Sequence, residues 1–309
     1  FRDTIMKVFV AGCLAGCLFC LSRSAYNYVS ESRNIGEFFY TKLSPHFHPS
    51  YFALYLNLAI LVTIQLSVSK WKQMTFLNKI IRFAVISFII LMVLLLNSKA
   101  GILITIVSVI LFLFVILFSA RKKTAGIIAV ISILVLSFTI WNTVPGLKNR
   151  FIISLKSLQT YSQKTINPEE GTLQRLVIWK HSMKIIQENL MTGVGTGDVR
   201  QELDRIYLEE KFTHGAKRHL NAHNQFLQTT IAIGIAGLLC LLFIIIALMT
   251  IGIRKKDSVI FFFALIIFLN FLFESMLETQ AGTVFTAFFI SLFGMKEISE
   301  NKNNSETGL

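Results

Sequence analysis

Long, unbroken apolar runs separated by short polar joints organise this chain. Eight runs lie near residues 5–21, 51–68, 83–98, 101–118, 124–142, 224–252, 258–273 and 281–295. A hydrocarbon layer of about 30 Å takes about 20 residues of α-helix. Several runs approach that length, and the shorter ones reach it by drawing in polar neighbours. The pattern predicts an all-α polytopic membrane protein with about eight transmembrane helices. One joint departs from the rest, because about 80 residues from Thr143 to Ala222 separate the fifth and sixth runs.

A helical period appears inside that joint. From Thr172 to Leu190, apolar residues recur at Leu173, Leu176, Val177, Met183, Ile186 and Leu190, with Arg175, Lys180 and Lys184 on a basic side. Such a helix lies along the membrane surface or caps the bundle. Gly193–Gly197 reads as a flexible turn. No strand precedes it and no Gly-Lys-Ser/Thr follows, so a phosphate-loop reading fails. Asp198 with Gln201 marks a helix start, and Leu203, Ile206 and Tyr207 continue a second amphipathic helix. The plan is one membrane domain, 1–309, containing a large outward loop, 143–222, and ending in a polar tail, 297–309, expected to be disordered from Asn301. No internal repeat is visible, which argues against an inverted-repeat transporter.

Composition strengthens the membrane reading. The 309 residues are 54% hydrophobic and only 15% charged, against about 25% charged in soluble domains. The net charge of +13 would point to nucleic acid in a soluble protein. Here the cations gather in short joints: Lys70, Lys72, Lys79 and Arg82; Arg121, Lys122 and Lys123; Arg254, Lys255 and Lys256. All three clusters fall on one side when the helices alternate, which makes that side cytoplasmic and removes the nucleic-acid reading. The opposite face carries Ser22–Ser50, the Asn97–Ala100 turn, the long joint and Glu274–Gln280. Cys13, Cys17 and Cys20 share a helix face and read as small residues packed between helices. The chain starts at Phe1, close to an apolar run and without a signal-peptide layout, so an N-terminal part of a longer protein is expected to be missing.

Chemistry on the outward face centres on His223, where the long joint meets a spanning run. With Asn224, Gly234 and Gly237 it is either an interfacial polar group beside helix-packing glycines or a base for a hydroxyl proton. Lys99 either snorkels to the interface or binds phosphate from the bundle interior. Arg175 and Arg218 are either solvated basic groups or pyrophosphate contacts. Glu274 and Glu278, four apart on one expected helical face, read preferentially as ion-pair partners of Lys99 or the loop arginines, and otherwise as an acid/base pair. No cluster has convincing metal-ligand spacing, and His46 and His48 are weak evidence for a metal.

These residues resemble a known family. His223-Asn224, nine residues, Gly234, two residues and Gly237 is similar to the His-[Asn/Ser/Gln]-x9-Gly-x-x-[Gly/Thr/Tyr] pattern of bacterial O-antigen ligases and the related O-antigen polymerases. Lys99 to Leu103 resembles the family's Arg-x3-Leu motif with Lys in place of Arg. Arg175-x3-Trp179 followed by Gly193-Val194-Gly195 resembles the start of its large outward loop, and His48–Tyr51 and Glu278–Gly282 are also similar. The resemblance implies a multi-pass protein of the bacterial inner membrane whose active face is periplasmic. Its partners would be an undecaprenyl-pyrophosphate-linked glycan, a lipid A-core or growing-glycan acceptor and membrane lipids, with no cofactor and no metal. It implies His223 as the catalytic residue, Lys99, Arg175 and Arg218 on the donor pyrophosphate, and Asn224, Gly234, Gly237, Glu274 and Glu278 in support. The expected function is ligation of glycan to lipid A-core. The alternatives are polymerisation of surface-polysaccharide repeat units and, from a different class, transport of a lipid-linked sugar or small anion, which the nearly charge-free spans disfavour.

Overall fold

In the computed structural model, residues 2–119 and 171–307 are described. Among them the regular structure is helical. Besides a one-turn helix at Tyr40–Leu43 and short 3-10 and π turns, the helices are α1 (Arg2–Asn27), α2 (Pro49–Lys70), α3 (Phe76–Leu95), α4 (Lys99–Ser119), α5 (Gly171–Glu188), α6 (Val199–Glu209), α7 (Thr213–Lys217), α8 (Gln225–Arg254), α9 (Ser258–Phe271) and α10 (Gln280–Thr307). Four helices among the described residues are long and apolar enough to cross a membrane: Arg2–Ser30, Pro49–Gln73, Phe76–Leu95 and Gln225–Arg254. Lys99–Phe114, Ser258–Phe271 and Gln280–Gly294 are shorter apolar helices. The run at 124–142 and the first part of the 143–222 loop lie outside the described residues.

Backbone contacts divide the chain into two compact units. The first comprises the chain up to Phe112, Ile245–Asn270 and the residues from Leu277 on. Its helices start where side chains satisfy the free amides of a first turn. Thr75 Oγ1 accepts from Asn78 N, Ser98 Oγ from Gly101 N, Asp257 Oδ1 from Val259 N, and Thr279 Oγ1 from Gly282 N. Pro49 at the first turn of α2 has its φ preset for the helix. Buried α2 is the centre of this unit. Gly101 lets α4 close on it, since a Cβ there would stand 2.6 Å from Ala53 Cβ. At that approach Asn57 Nδ2 donates to Gly101 O at 3.3 Å, and Thr105 Oγ1 donates to both Asn57 Oδ1 and Gly101 O. By contrast α3 exposes Phe76, Leu77, Ile80, Ile81 and Phe83, a face suited to lipid and not to water.

Side-chain contacts tie helix ends of this unit together. Ser50 and Ser98 hydroxyls meet at 3.3 Å, and Tyr55 OH donates to Ala281 O at 2.7 Å, which joins the beginnings of α2, α4 and α10 at one end. An Arg2–Asp257 ion pair joins the beginnings of α1 and α9. Cys13, Cys17 and Cys20 are buried on one face of α1, with Cys13 Sγ 4.0 Å from Tyr55 O, as packing residues would be. The polar tail differs from expectation, because α10 continues through Asn301 to Thr307. Its helical backbone runs on past Ile298 into the polar residues.

The second unit holds α5–α7, the first part of α8 and Phe271–Met276. The two helices read from the loop sequence both form. Their core gathers Val177, Ile178, Ile185 and Ile186 of α5, Leu203, Ile206 and Tyr207 of α6, then Phe212, Ala216, Ala222 and Ile231. The buried arc of α5 is wider than the apolar pattern implied. It takes in His181 and Ser182 and leaves Met183 and Leu190 exposed, contrary to the expected stripe. Two polar residues thus occupy core positions, which a hydrophobicity pattern cannot register. Asp198 is the N-cap of α6 as read, but its side chain makes no capping bond, so the expected capping box with Gln201 does not form.

Candidate functional site

The site begins with a break in α8. Ile233 (φ −133°, ψ 20°) and Gly234 (φ 67°, ψ −162°) leave helical geometry. The carbonyls released there find partners in the glycine turn, since Val194 N donates to Ile231 O at 2.8 Å and Gly195 N to Ala232 O at 2.9 Å. In return Ile235 N donates to Leu190 O at 2.8 Å. Backbones approach so closely that only glycine fits. A Cβ on Gly193 would lie 2.6 Å from Ala232 O, and one on Gly234 2.4 Å from Met191 O. Gly193–Gly197 is therefore a turn, as the sequence indicated, and Gly234 is a backbone-docking residue. Gly237 sits one turn on, where a Cβ would meet Ile233 Cγ1 at 2.1 Å.

Four side chains, those of Asn224, Ser275, Gln228 and Trp179, fasten the N-terminus of α8. Asn224 Oδ1 accepts from Leu227 N at 3.1 Å, a side-chain N-cap. Asn224 Nδ2 donates to Leu272 O at 3.2 Å, and its backbone N donates to Ser275 Oγ at 3.3 Å. The neighbouring Ala222 peptide is held from both sides, with its N–H donating to Gln228 Oε1 at 3.1 Å and its carbonyl accepting from Trp179 Nε1 at 3.1 Å. Between these anchors His223 takes a left-handed backbone conformation (φ 45°), and its N–H donates to Asn221 Oδ1 at 3.0 Å. A non-glycine residue in that region costs of the order of 1 kcal/mol or more and persists only where its surroundings fix it.

The same 272–275 segment that clamps Asn224 delivers Glu274, which is buried. Glu274 Oε2 stands 3.2 Å from His223 Nδ1, and Glu274 Oε1 stands 2.7 Å from an Arg175 guanidinium nitrogen. One carboxylate thus joins the end of α8 to α5. With Nδ1 donating to the carboxylate, the imidazole presents a lone pair at Nε2, the tautomer a general base needs. Among the described residues no hydrogen bond occupies Nε2, and the side chain keeps 27% of its surface exposed. Arg175 spends one nitrogen on Glu274 and retains further donors on a planar fork suited to phosphate oxygens.

The structure brings together His223, Asn224, Arg175 and Glu274. Glu274 pairs with a loop arginine, in keeping with the preferred reading. The shared helical face with Glu278 is a correction: Glu274 lies in an irregular segment, while Glu278 is exposed in the 3-10 turn Met276–Glu278. The helix ends at Phe271, and the four irregular residues 272–275 re-aim the chain. Lys99 is exposed at the first residue of α4, in the other unit, and Arg218 is exposed at the C-cap of α7. Sequence reasoning missed Gln228 and Ser275 as anchors. The signal for Gln228 is a long polar side chain one turn into an apolar helix. Nothing local marks Ser275.

Burial between the rings of Tyr207 and Phe212 pushes the His181 imidazole below its ordinary value, opposed by Glu210 and aided by Lys184 and Lys180. This histidine belongs to the core of the second unit and not to the Glu274 cluster.

No curated protein matches the chain. The family model described as O-antigen ligase matches residues 83–242, more than half of its length. That stretch carries Lys99, Arg175, the glycine turn, His223 and the docking glycine Gly234. The chain therefore belongs to the O-antigen ligase family.

Proposed function

We propose that this membrane glycosyltransferase moves a glycan from undecaprenyl pyrophosphate to the lipid A-core, at the periplasmic face of the bacterial inner membrane. The observation that carries the reading is the shared carboxylate of Glu274, bonded to His223 Nδ1 and to Arg175. A base and an anion-binding group are thereby held one side chain apart.

The acceptor hydroxyl oxygen attacks the anomeric carbon of the donor glycan. Its proton passes to His223 Nε2 as the new C–O bond forms and the bond from C1 to the phosphate oxygen breaks. Undecaprenyl pyrophosphate leaves with the bonding electrons. Glu274 orients the imidazole and stabilises the cation that forms. The free nitrogens of Arg175 neutralise the departing phosphate, with Lys99 and Arg218 as further donor contacts. Lys99 carries the charge of the family's arginine without its fork, so its contact is a point charge. Exposed Glu278 is a supporting residue in this reading.

The topology belongs to this proposal: eight spans, the cationic joints cytoplasmic and the 143–222 loop periplasmic. Purified protein mixed with lipid-linked glycan and lipid A-core should yield ligated product. Absence of transfer by well-inserted protein would remove the enzymatic reading. A deletion strain separates ligase from polymerase, because loss of a ligase leaves long glycan on the carrier lipid and loss of a polymerase leaves core bearing one repeat.

A further inference from the structure

Helix α8 is too long for its task. Its 30 residues from Gln225 to Arg254 measure about 45 Å at 1.5 Å per residue, against a hydrocarbon layer of about 30 Å. The surplus is not spread evenly. Gln225, Gln228, Thr229 and Thr230 lie before the Gly234 break, whereas from Ile235 to Ile253 the only hydroxyl is Thr250. The apolar part after the break has about the length of one crossing.

The turn docked at the break carries apolar side chains outward. Met191 is 76% exposed and Leu190 44% exposed, with Ile233 beside them on α8 exposed at 46%. Water is a poor neighbour for such a cluster. Its backbone position is nevertheless fixed, because Leu190 O accepts from Ile235 N, the first amide of the apolar crossing. At the break the Ile231 and Ala232 carbonyls and the Ile235 amide all find backbone partners in the docked turn, as irregular backbone at a membrane boundary requires.

We infer that the Leu190–Met191 turn is a membrane-contacting tip. It seats its two apolar side chains in the acyl boundary of the outer leaflet and marks Gly234 as the level where α8 enters hydrocarbon. The occupant is lipid, because the cluster is continuous with the start of a spanning helix. The first turns of α8 then stand in the interfacial and aqueous layers, and His223 lies about 15 Å above the hydrocarbon edge by helical rise. The periplasmic orientation of this tip rests on the proposed function, but its contact with lipid does not.

Fluorescent labelling tests depth directly. In a Cys240→Ser background, where the described cysteines left are the buried Cys13, Cys17 and Cys20, Met191→Cys receives an environment-sensitive dye. The protein is reconstituted in phosphatidylcholine vesicles with and without bromine on the upper acyl carbons. Phe243→Cys, 71% exposed on α8, is the hydrocarbon control, and Glu209→Cys on α6 is the aqueous control. The expected result is blue-shifted emission at Met191 with quenching by the brominated lipid. Water-like emission unaffected by bromine, as at Glu209, overturns the inference. So does a blue shift without quenching, which would indicate a protein partner. Thr192→Cys, exposed on the same turn, repeats the measurement if Met191→Cys fails to insert. Glycan transfer enters no readout, so failure here leaves the proposed function standing, and the converse also holds.

Discussion

His223 Nδ1 and Glu274 Oε2 stand 3.2 Å apart although 51 positions separate them in the chain. The contact forms because Asn224 binds Leu272 O and Ser275 Oγ, bringing the turn after α9 against the beginning of α8. Glu274 then reaches on to Arg175 at 2.7 Å. The Asn224 cap and the His223 and Arg175 side chains thus all meet the one four-residue segment 272–275.

His223→Ala should abolish glycan transfer, by roughly two to four orders of magnitude for loss of a general base. Insertion and thermal stability should change little, because the neighbouring Ala222 peptide keeps both anchors. Transfer assays beside melting curves read the two effects separately, and full activity in the inserted variant removes the mechanism.

Glu274→Gln preserves shape while removing the charge shared by His223 and Arg175. Turnover should fall by about one to three orders of magnitude, with a smaller change in the KM for donor. Glu274→Asp should recover part of the lost rate. If turnover stays normal while stability falls, Glu274 is only a structural tie.

Gly234→Ala and Gly193→Ala should each destabilise the second unit by about 2 kcal/mol or more, since each combines a positive φ with a backbone collision. Hydrogen exchange should accelerate first at Val194, Gly195 and Ile235, whose amides bridge the break. Unchanged protection at those three amides would contradict the docking.

Lys99→Arg should retain transfer, and Lys99→Ala should raise the donor concentration needed for half-maximal rate. An unchanged donor dependence in the alanine variant counts against a phosphate role for this exposed residue.

Acid should loosen the α5–α6 core. Burial lowers the His181 value from 6.5, so between the lowered and the ordinary value the unfolded chain binds more protons than the folded one. Stability therefore rises with pH through that window and is lost on acidification below about 6.5. His181→Phe should flatten the dependence as followed by hydrogen exchange in α5. An identical acid slope in wild type and variant would assign it elsewhere.

The sequence determined what depends on neighbours along the chain. Long apolar runs announced the four described helices that are long and apolar enough to cross a membrane, and the period from Leu173 to Leu190 announced α5 inside a joint that hydropathy alone leaves blank. His223-Asn224 at the loop's end was legible because a polar pair before a long apolar run marks both a cap and an exposed chemical group. Gly234 and Gly237 were legible as a spacing but not as a mechanism. Only the tertiary structure decided that Gly234 breaks α8, because the cause is the carbonyl of Met191, 43 positions earlier in the chain. Likewise, helical spacing placed Glu274 with Glu278, whereas a turn after Phe271 separated them and gave Glu274 to His223 and Arg175. Periodicity reads which face of one helix is apolar. It carries no information on which polar groups from three distant segments meet at one buried carboxylate, and that meeting is what makes the histidine at the head of α8 a candidate base.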